Sequence, residues 1–261
     1  MKKILLTIFI CFFAIIQCHC KNSFAEYFSK DIRIGGYKDY PPLGYIKNDT
    51  ETAENQNPNE KKKGDKLYSL LSPIIDALQI EMRNNVYYKL YDMSDSAQIA
   101  KDIEEGKIDI FIGAYNKTKR FENLHFIYPA MINNPITIFI LPSRINEIKN
   151  LENINTMKGV RSSKEVFSDF VEENLASYNI TKVDSSREMF EMLITQKVDY
   201  VLSSYYYGTI EAIKLGVRHQ IATSNKHLWN IPIFVGIPML APQKDVILRR
   251  IDRFFSDKKI I

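Results

Sequence analysis

Beyond residue 20 the sequence contains no cysteine, because the three cysteines of this 261-residue chain are Cys11, Cys18 and Cys20. This distribution excludes a disulfide framework and thiol chemistry in the folded part. A glycine-rich phosphate-binding loop, a G-x-S-x-G nucleophile motif and the spacing of a zinc site are absent too. We therefore expect no cofactor and no metal ion.

A strong charge of one sign is also missing. The formal net charge is +4, and the chain without Lys2 and Lys3 carries +2. No basic block has the length or density that binding to a phosphate backbone needs. The densest run of charges, "EKKKGDK" (60–66), ends a polar stretch (47–66) that has no apolar face, which is typical of a solvated loop. We expect a monomer that does not bind nucleic acid.

Only one long apolar run occurs, "ILLTIFICFFAII" (4–16). It follows the positive start "MKK" and is short for a bilayer span, so residues 1–20 are typical of a secretory signal peptide. Cleavage after Cys20 or Ala25 fits the preference for small residues. A short membrane anchor and lipidation at Cys18 stay open as alternatives.

Strand-like and helix-like segments alternate along the rest of the chain. The predicted strands are 32–37, 85–91, 107–113, 180–183 and 198–203. The predicted helices are 66–82, 94–106 capped by Ser94, 163–178, 186–196, 205–216 and 243–257. This alternation predicts an α/β fold with mostly parallel sheets.

One internal repeat indicates two similar lobes. The segment "SAQIAKDIEEGKIDIFIG" (96–113) aligns without a gap with "SREMFEMLITQKVDYVLS" (186–203). Each copy has the pattern of a helix, a tight turn and a buried strand, and we expect Asp109 and Asp199 to hold local turns. Ligands bind at the carboxyl ends of such strands, so two facing lobes would line one cleft. An alternative to two similar lobes stays open, because any two helix–turn–strand units could give a match of this kind.

A cationic turn follows the first of these strands. Arg120 in this turn is the strongest candidate, because a guanidinium matches a carboxylate with two parallel hydrogen bonds. Ser162 and Ser163 open the predicted helix 163–178, where they cap the helix or help its free N–H groups attract an anion. Tyr40 stands before two prolines in a rigid turn, which either packs on a ligand or is purely structural.

Several segments resemble the family 3 extracellular solute-binding proteins, the periplasmic receptors of polar amino acid ABC transporters. They are "GGYKDYPPLGY", "IEEGKIDIFIGAYNKTKRFENLHFIYP", "LITQKVDYVLSS" and "FVGIPMLAPQKDVILRRIDRFF". The positions of Arg120, Phe126 and Pro129 match the family's Arg-then-Phe-x-x-Pro spacing. The resemblance runs from about Ile32 to the end of the chain.

The resemblance implies a two-lobed periplasmic-binding-protein fold. Each lobe would be a mostly parallel sheet flanked by helices, and two crossing strands near 134–140 and 229–236 would join them. Lobe one would comprise 31–134 plus 236–261, and lobe two 135–235. The lobes would close on a small solute in the periplasm, and the closed protein would deliver that solute to the membrane permease of an ABC transporter.

The resemblance also implies roles for single residues. Arg120 would hold the ligand's carboxylate, and Ser162 and Ser163 would support it from the second lobe. Tyr40 corresponds to an aromatic position that covers the ligand's side chain, and Tyr115 to a position that lines the pocket.

Two departures bear on the ligand. The family usually has a threonine three residues before the arginine, where this chain has Lys117, with Thr118 one position later. An aspartate that binds the α-amino group is expected about where Ser204 stands. A hydroxyl accepts a hydrogen bond from an ammonium but does not neutralise it. Two classes of ligand therefore stay open. One is an amino acid, and the other is a carboxylate whose second polar group is neutral or differently placed.

Two other functions remain open. The first is an enzyme similar to cyclohexadienyl dehydratases, which would need a carboxyl group in the cleft as general acid. Glu165 and Glu173 are the candidates for that role. The second is a ligand-sensing module. We expect a binding protein rather than an enzyme, since no clear catalytic motif is present.

Overall fold

The computed structural model describes residues 31–40, 44–46, 67–68, 86–116, 118–147 and 154–257. The predicted signal peptide and the polar stretch 47–66 lie outside these residues, as does Lys117. Most of the predicted helix 66–82 lies outside them too.

Twelve strands are found in the described residues. They are β1 (Ile32–Tyr37), β2 (Asp39–Tyr40), β3 (Gly44–Ile46), β4 (Leu67–Tyr68), β5 (Val86–Tyr91), β6 (Ile110–Tyr115), β7 (Leu124–Ile140), β8 (Gly159–Ser162), β9 (Ile180–Val183), β10 (Tyr200–Ser204), β11 (Ala222–Thr223) and β12 (Trp229–Pro238). The five strands predicted from the sequence are confirmed, with shifts of a few residues at their ends. Strand β4 lies within the predicted helix 66–82, so the start of that prediction was wrong.

Five α-helices are described. They are α1 (Ser96–Glu104), α2 (Asp169–Leu175), α3 (Ser186–Ile194), α4 (Tyr205–Lys214) and α5 (Lys244–Asp257). The prediction that Ser94 caps α1 was wrong, because the residue before the helix is Asp95 and its side chain makes no capping bond. The predicted start of the helix at Ser163 was wrong as well, since α2 begins six residues later.

One sheet of nine strands forms the frame of the described molecule. Its order is β5-β1-β6-β12-β7-β10-β8-β9, and β11 pairs with β7. Strands β5, β1 and β6 are mutually parallel on one side, and β10, β8 and β9 are parallel on the other. Each parallel group is the sheet of one lobe. A small second sheet joins β2, β3 and β4.

Two long antiparallel strands connect the lobes. Strand β12 pairs with β7 from Trp229 to Pro238, and β12 also pairs with β6 of the first lobe. The other end of β7 pairs with β10 of the second lobe. The crossing strands predicted near 134–140 and 229–236 therefore lie within β7 and β12. The predicted lobe limits at 134/135 and 235/236 stay a prediction.

The apolar core has a separate cluster in each lobe and a third that spans both. In the first lobe, isoleucines of β1 and β6 pack against Val246, Ile247 and Ile251 of α5. In the second, Phe139 and Val201 pack against Met189 of α3. The spanning cluster includes Phe111 and Tyr115 of β6 together with residues of β10. Burial of these side chains is the main force that holds the sheet and helices together.

No helix in the described part of the chain is both long and apolar enough to cross a membrane.

Candidate functional site

The ends of the two repeated strands meet at β7. Tyr115 is the last residue of β6 and Ser204 the last residue of β10. Both bond to Asn134, which lies on β7 between the lobes: its Nδ2 donates to the Tyr115 hydroxyl (3.2 Å), and its Oδ1 accepts from the Ser204 hydroxyl (2.6 Å). The strand order therefore brings polar side chains of both lobes together at Asn134.

Tyr40 joins the same set of side chains. Its hydroxyl accepts from Asn134 Nδ2 at 2.9 Å and lies 3.2 Å from the Tyr115 hydroxyl. All four side chains are buried, and we call Tyr40, Tyr115, Asn134 and Ser204 the polar cluster. Burial is the main reason why the pKa of Tyr115 is raised to about 12 and that of Tyr40 is raised well above its ordinary value. Both phenols are therefore neutral hydrogen-bonding groups.

Glu165 lies directly beside the polar cluster, in the loop between β8 and α2. Its Oε1 accepts from the Ser204 backbone N–H (2.8 Å), and its Oε2 accepts from the Ser203 hydroxyl (2.7 Å). The residue is only 1% exposed. Burial raises the pKa of this carboxyl to about 8, although both hydrogen bonds act to lower it. Burial therefore disfavours the charged form of this carboxyl.

Arg120 lies on the first lobe, in a single 3-10 turn from Lys119 to Phe121. Its guanidinium carbon is 5.7 Å from the centre of the Tyr115 ring and 5.0 Å from that of Phe121. Its Nη2 donates to the Val166 carbonyl of the second lobe (3.2 Å), and Nη1 makes a long bond to the Ser96 hydroxyl (3.4 Å). Its Nε is buried and has no partner among the described residues.

Thr118 directly precedes this turn and, like Arg120, has a buried polar atom without a partner in the described part of the chain. The residue is 4% exposed, and its hydroxyl has no hydrogen-bond partner in the described part of the chain. Buried polar groups in native proteins are almost always bonded. Two unpaired groups two residues apart, Thr118 Oγ1 and Arg120 Nε, therefore call for an explanation.

The two predicted serines lie apart from the start of α2. Ser162 ends β8, is buried, and accepts a bond from the Lys164 backbone N–H (3.2 Å). Ser163 is exposed, and its hydroxyl donates to Asp184 (2.7 Å). The prediction that these serines open a helix was wrong, because the chain forms a loop from 163 to 168 before α2 begins. Glu165 and Val166 belong to this loop, which places them in contact with Ser204 and Arg120, respectively.

Aromatic rings surround the polar cluster. The Tyr40 ring lies 5.8 Å from Tyr37 and 5.9 Å from Tyr207, measured between ring centres. Tyr207 belongs to α4, and its hydroxyl is 3.1 Å from that of Ser186. Aromatic rings of both lobes therefore pack against the polar cluster.

A cleft of about 540 Å³ lies next to this aromatic wall. One side of the cleft comes from the first lobe (Asp92, Met93 and Ser94) and the rest from the second, including Lys164, Asp184 and Tyr207. Tyr207 lines the cleft and its ring contacts Tyr40, but none of the polar cluster, Thr118 and Arg120 lines the cleft itself.

Of the predicted site residues, the structure brings together Tyr40, Tyr115 and Ser204, with Thr118 and Arg120 in the adjacent turn. Ser162 is buried nearby, and Ser163 faces Asp184 instead. Sequence reasoning missed Asn134, which connects the two lobes. The available signal was a polar residue in the apolar segment "NPITIFI". Among the described residues, no three or more His, Cys, Asp and Glu side chains are arranged to hold a metal ion.

No protein-family model and no curated protein sequence matches this chain. Solved structures do match it, at low sequence identity. A histidine-bound substrate-binding protein of an ABC uptake transporter from Streptococcus pneumoniae aligns with a TM-score of 0.62 and 15% identity, covering 90% of this chain and 89% of that one.

Two ancestral proteins are similar to the same degree. An ancestral arginine-binding protein bound to arginine gives a TM-score of 0.61 and 18% identity, over 88% of this chain and 92% of its own. An ancestral amino acid-binding protein, a precursor of cyclohexadienyl dehydratase, gives a TM-score of 0.61 and 16% identity. That alignment covers 88% of this chain and 89% of the ancestral protein. The resemblance predicted from the sequence is thus confirmed at the level of the fold. This chain has the two-lobed fold of the amino-acid-binding proteins that serve ABC transporters.

Proposed function

We propose that this protein is an extracytoplasmic binding protein that captures a small carboxylate-bearing solute, an amino acid or a relative of one. The solute would lie between the lobes at Thr118 and Arg120, with Tyr40, Tyr115, Ser162 and Ser204 around it. The closed, loaded protein would be recognised by the membrane permease of an ABC transporter. In this proposal the protein is a binding protein and not an enzyme, and it acts as a monomer.

One observation carries this proposal. Arg120 Nε and Thr118 Oγ1 are both buried and both lack a partner among the described residues. The other guanidinium nitrogens of Arg120 bond to the neutral oxygens of Val166 (3.2 Å) and Ser96 (3.4 Å), and the Tyr37 hydroxyl also interacts with the guanidinium. A carboxylate would supply the negative charge that the guanidinium lacks and the acceptor that the hydroxyl lacks. No carboxylate of the described residues forms an ion pair with Arg120.

The fold gives independent support. The neighbours named above are described as binding histidine, arginine or amino acids, and they have the same two lobes. The predicted signal peptide at residues 1–20 is consistent with export to the periplasm, where such proteins meet their permeases. Lipidation at Cys18 is an alternative way to hold the protein at the membrane.

A thermal-shift screen of amino acids and small carboxylates tests the proposal. We expect at least one compound to raise the melting temperature of the wild-type protein, because a ligand that binds only the folded state stabilises it. The shift should disappear in Arg120→Ala and shrink in Thr118→Val. Arg253→Ala, which changes an exposed arginine of α5, is the matched control and should keep the full shift. An Arg120→Ala protein that binds the compound as tightly as the wild type would contradict the proposal.

A second candidate, a dehydratase-like enzyme, is favoured by one observation. Glu165 is a buried carboxyl whose pKa is raised to about 8, which suits a general acid near neutral pH. The other sequence candidate, Glu173, is exposed on α2. Incubation of the purified protein with prephenate distinguishes the two functions. Formation of phenylpyruvate that is lost in Glu165→Gln would establish the enzyme, and its absence supports binding alone.

A further inference from the structure

One turn of the first lobe is bonded to the start of helix α2 on the second lobe. The backbone N–H of Lys119 donates to Oδ2 of Asp169 at 2.9 Å. Lys119 begins the 3-10 turn that ends at Phe121, and Asp169 is the first residue of α2. The two residues are 50 positions apart in the chain, so this bond is a contact between the lobes.

Each partner of this bond belongs to an element that is anchored in its own lobe. Phe121, in the same turn as Lys119, is fully buried, and its ring lies 5.2 Å from that of Phe111 on β6, measured between ring centres. On the other side, Glu172 of α2 accepts two hydrogen bonds from Arg161 of β8, at 2.9 and 2.5 Å. The bond therefore joins two anchored elements and not two loose side chains.

The second lobe supplies the cap of this turn. The N–H groups at the start of a helical turn have no partner inside the turn, so an acceptor must come from elsewhere. Thr118, the residue before the turn, makes no capping bond with its side chain. The Asp169 carboxylate takes that place for the N–H of Lys119. A hydrogen bond from a backbone N–H to a carboxylate is about twice as strong as one to a neutral acceptor.

The same turn carries the guanidinium of the proposed solute site. Arg120 follows Lys119 directly, and its Nη2 donates to the Val166 carbonyl of the second lobe at 3.2 Å. Asp169 bonds to the backbone of the turn and is not one of the proposed solute contacts. Its bond therefore fixes the turn relative to the second lobe without occupying the place of a solute.

We propose that Asp169 is a positioning residue that latches the two lobes in the closed arrangement. When the lobes separate, the Lys119 N–H and the Asp169 carboxylate each bond to water instead. Because their mutual bond exists only in the closed arrangement, it shifts the population toward that arrangement and slows the release of a solute held between the lobes. This consequence for the solute rests on the proposed function, whereas the contact between the lobes does not.

Two variants remove the bond from opposite sides. Asp169→Ala removes the acceptor. Lys119→Pro removes the donor, and the backbone admits a proline there, since Thr118 is extended (φ −123°, ψ 128°) and position 119 is the first of the turn. The matched controls are Lys119→Ala, which keeps the N–H, and Glu173→Ala, which removes an exposed carboxylate of the same helix.

Hydrogen exchange and small-angle X-ray scattering of the protein without added solute test the contact itself. We expect the protection factor of the amide at position 119 to fall at least about tenfold in Asp169→Ala and to stay at the wild-type value in both controls. The radius of gyration should be larger in Asp169→Ala and in Lys119→Pro than in the wild type and the controls, because the lobes separate more often.

Stopped-flow kinetics test the consequence for the solute, with the standard L-α-amino acids as probes, each tried singly. For an amino acid that binds through Arg120, the dissociation rate constant should rise about three- to tenfold in Asp169→Ala and in Lys119→Pro. The association rate constant should change less, since variants of one site differ mostly in dissociation. The double variant should match the single ones, because both remove the same bond.

The outcomes separate this inference from the proposed function. The latch is overturned if Asp169→Ala keeps the amide protection and the radius of gyration of the wild type. It is also overturned if only the amide protection falls, because the bond would then be a local contact that does not hold the lobes. If no amino acid binds in an Arg120-dependent way, the proposed function fails, and exchange and scattering still decide the latch. Should Asp169→Ala not fold, the radius of gyration of Lys119→Pro decides, and a value equal to that of Lys119→Ala contradicts the latch.

Discussion

Residues 96–115 and 186–204 form the same backbone unit in the two lobes, yet the two units end in different chemistry. Helices α1 and α3 begin at Ser96 and Ser186 and end at Glu104 and Ile194, at a constant offset along the chain. Both copies of the predicted repeat therefore form the same elements, although β10 ends one residue before the position equivalent to the end of β6.

The turns between helix and strand correspond equally well. Gly106 has a φ of 62° and Gln196, at the equivalent position, has 58°. Three residues later each unit has an aspartate. Asp109 exchanges backbone and side-chain bonds with Arg33 (2.8 and 2.9 Å), and Asp199 does the same with the backbone of Lys158 (both 2.7 Å). The expectation that these aspartates hold local turns was wrong, because their partners lie 76 and 41 positions away in the chain and the bonds are tertiary contacts.

The strand ends differ. The first unit ends at Tyr115 and leads into the turn of Arg120, which presents a cation. The second ends at Ser203 and Ser204, which donate hydrogen bonds to the buried carboxyl of Glu165. The comparison teaches that one helix–turn–strand unit can end in different side chains, because its turn sets the backbone and its strand end is free to vary.

The largest expected effect comes from the acid at the second strand end. The pKa of Glu165 is raised from 4.5 to about 8 in the folded state, so the folded protein holds a proton that the unfolded chain loses within that window. The free energy of unfolding should therefore fall as pH rises from about 4.5 to about 8, by at most about 1.4 kcal/mol per pH unit. Urea unfolding across this range measures it, and Glu165→Gln should remove this component of the slope. An identical pH profile for Glu165→Gln would contradict the assignment.

The next effect compares the two equivalent aspartates, Asp109 and Asp199. Asp109 is buried and accepts three bonds from Arg33, so Asp109→Ala should lower the free energy of unfolding by about 3 kcal/mol. Asp199→Ala should cost about half as much, since Asp199 is partly exposed and its partner Arg144 keeps two bonds to Glu147. Chemical denaturation of both variants measures the difference, and equal losses would argue against burial as its cause.

A smaller effect distinguishes the two residues with positive φ. Gly106→Ala should lower the free energy of unfolding by about 1 to 2 kcal/mol, because an added Cβ is strained at this φ and would lie 3.1 Å from the Leu240 carbonyl oxygen. Gln196→Gly should raise it by up to about 1 kcal/mol by removing that strain. The melting temperatures of the two variants should move in opposite directions, and a shift in the same direction would contradict this reasoning.

The smallest effect concerns the helix starts. Ser185 caps α3, since its hydroxyl accepts from the Glu188 N–H at 3.1 Å, so Ser185→Ala should cost about 1 kcal/mol. Ser94→Ala should change the free energy of unfolding by less than about 0.5 kcal/mol, because α1 has no side-chain cap. Thermal unfolding of both proteins measures the contrast. If Ser94→Ala lowered the free energy of unfolding as much as Ser185→Ala does, the sequence-based prediction that Ser94 caps α1 would be supported after all.

The local sequence pattern determined much of the secondary structure of this protein. The alternation of strands and helices, the two repeated units and the apolar crossing strands all follow from residue spacing along short segments, which reflects which face of each element is buried. The resemblance added the two-lobed fold and pointed to Arg120 and Tyr40 beside the strand ends. The loop before α2 was predicted wrongly because Ser162 and Ser163 match a helix start in sequence while Ser162 continues strand β8.

Only the tertiary structure decided how the site is assembled. The bonds from Ser204 to Asn134 and from Ser203 to Glu165 join residues 70 and 38 positions apart. No periodicity encodes such contacts, because they depend on which strand ends the sheet order brings together. The same holds for the raised pKa of Glu165, because burial disfavours the charged carboxylate and burial is a property of the folded molecule alone.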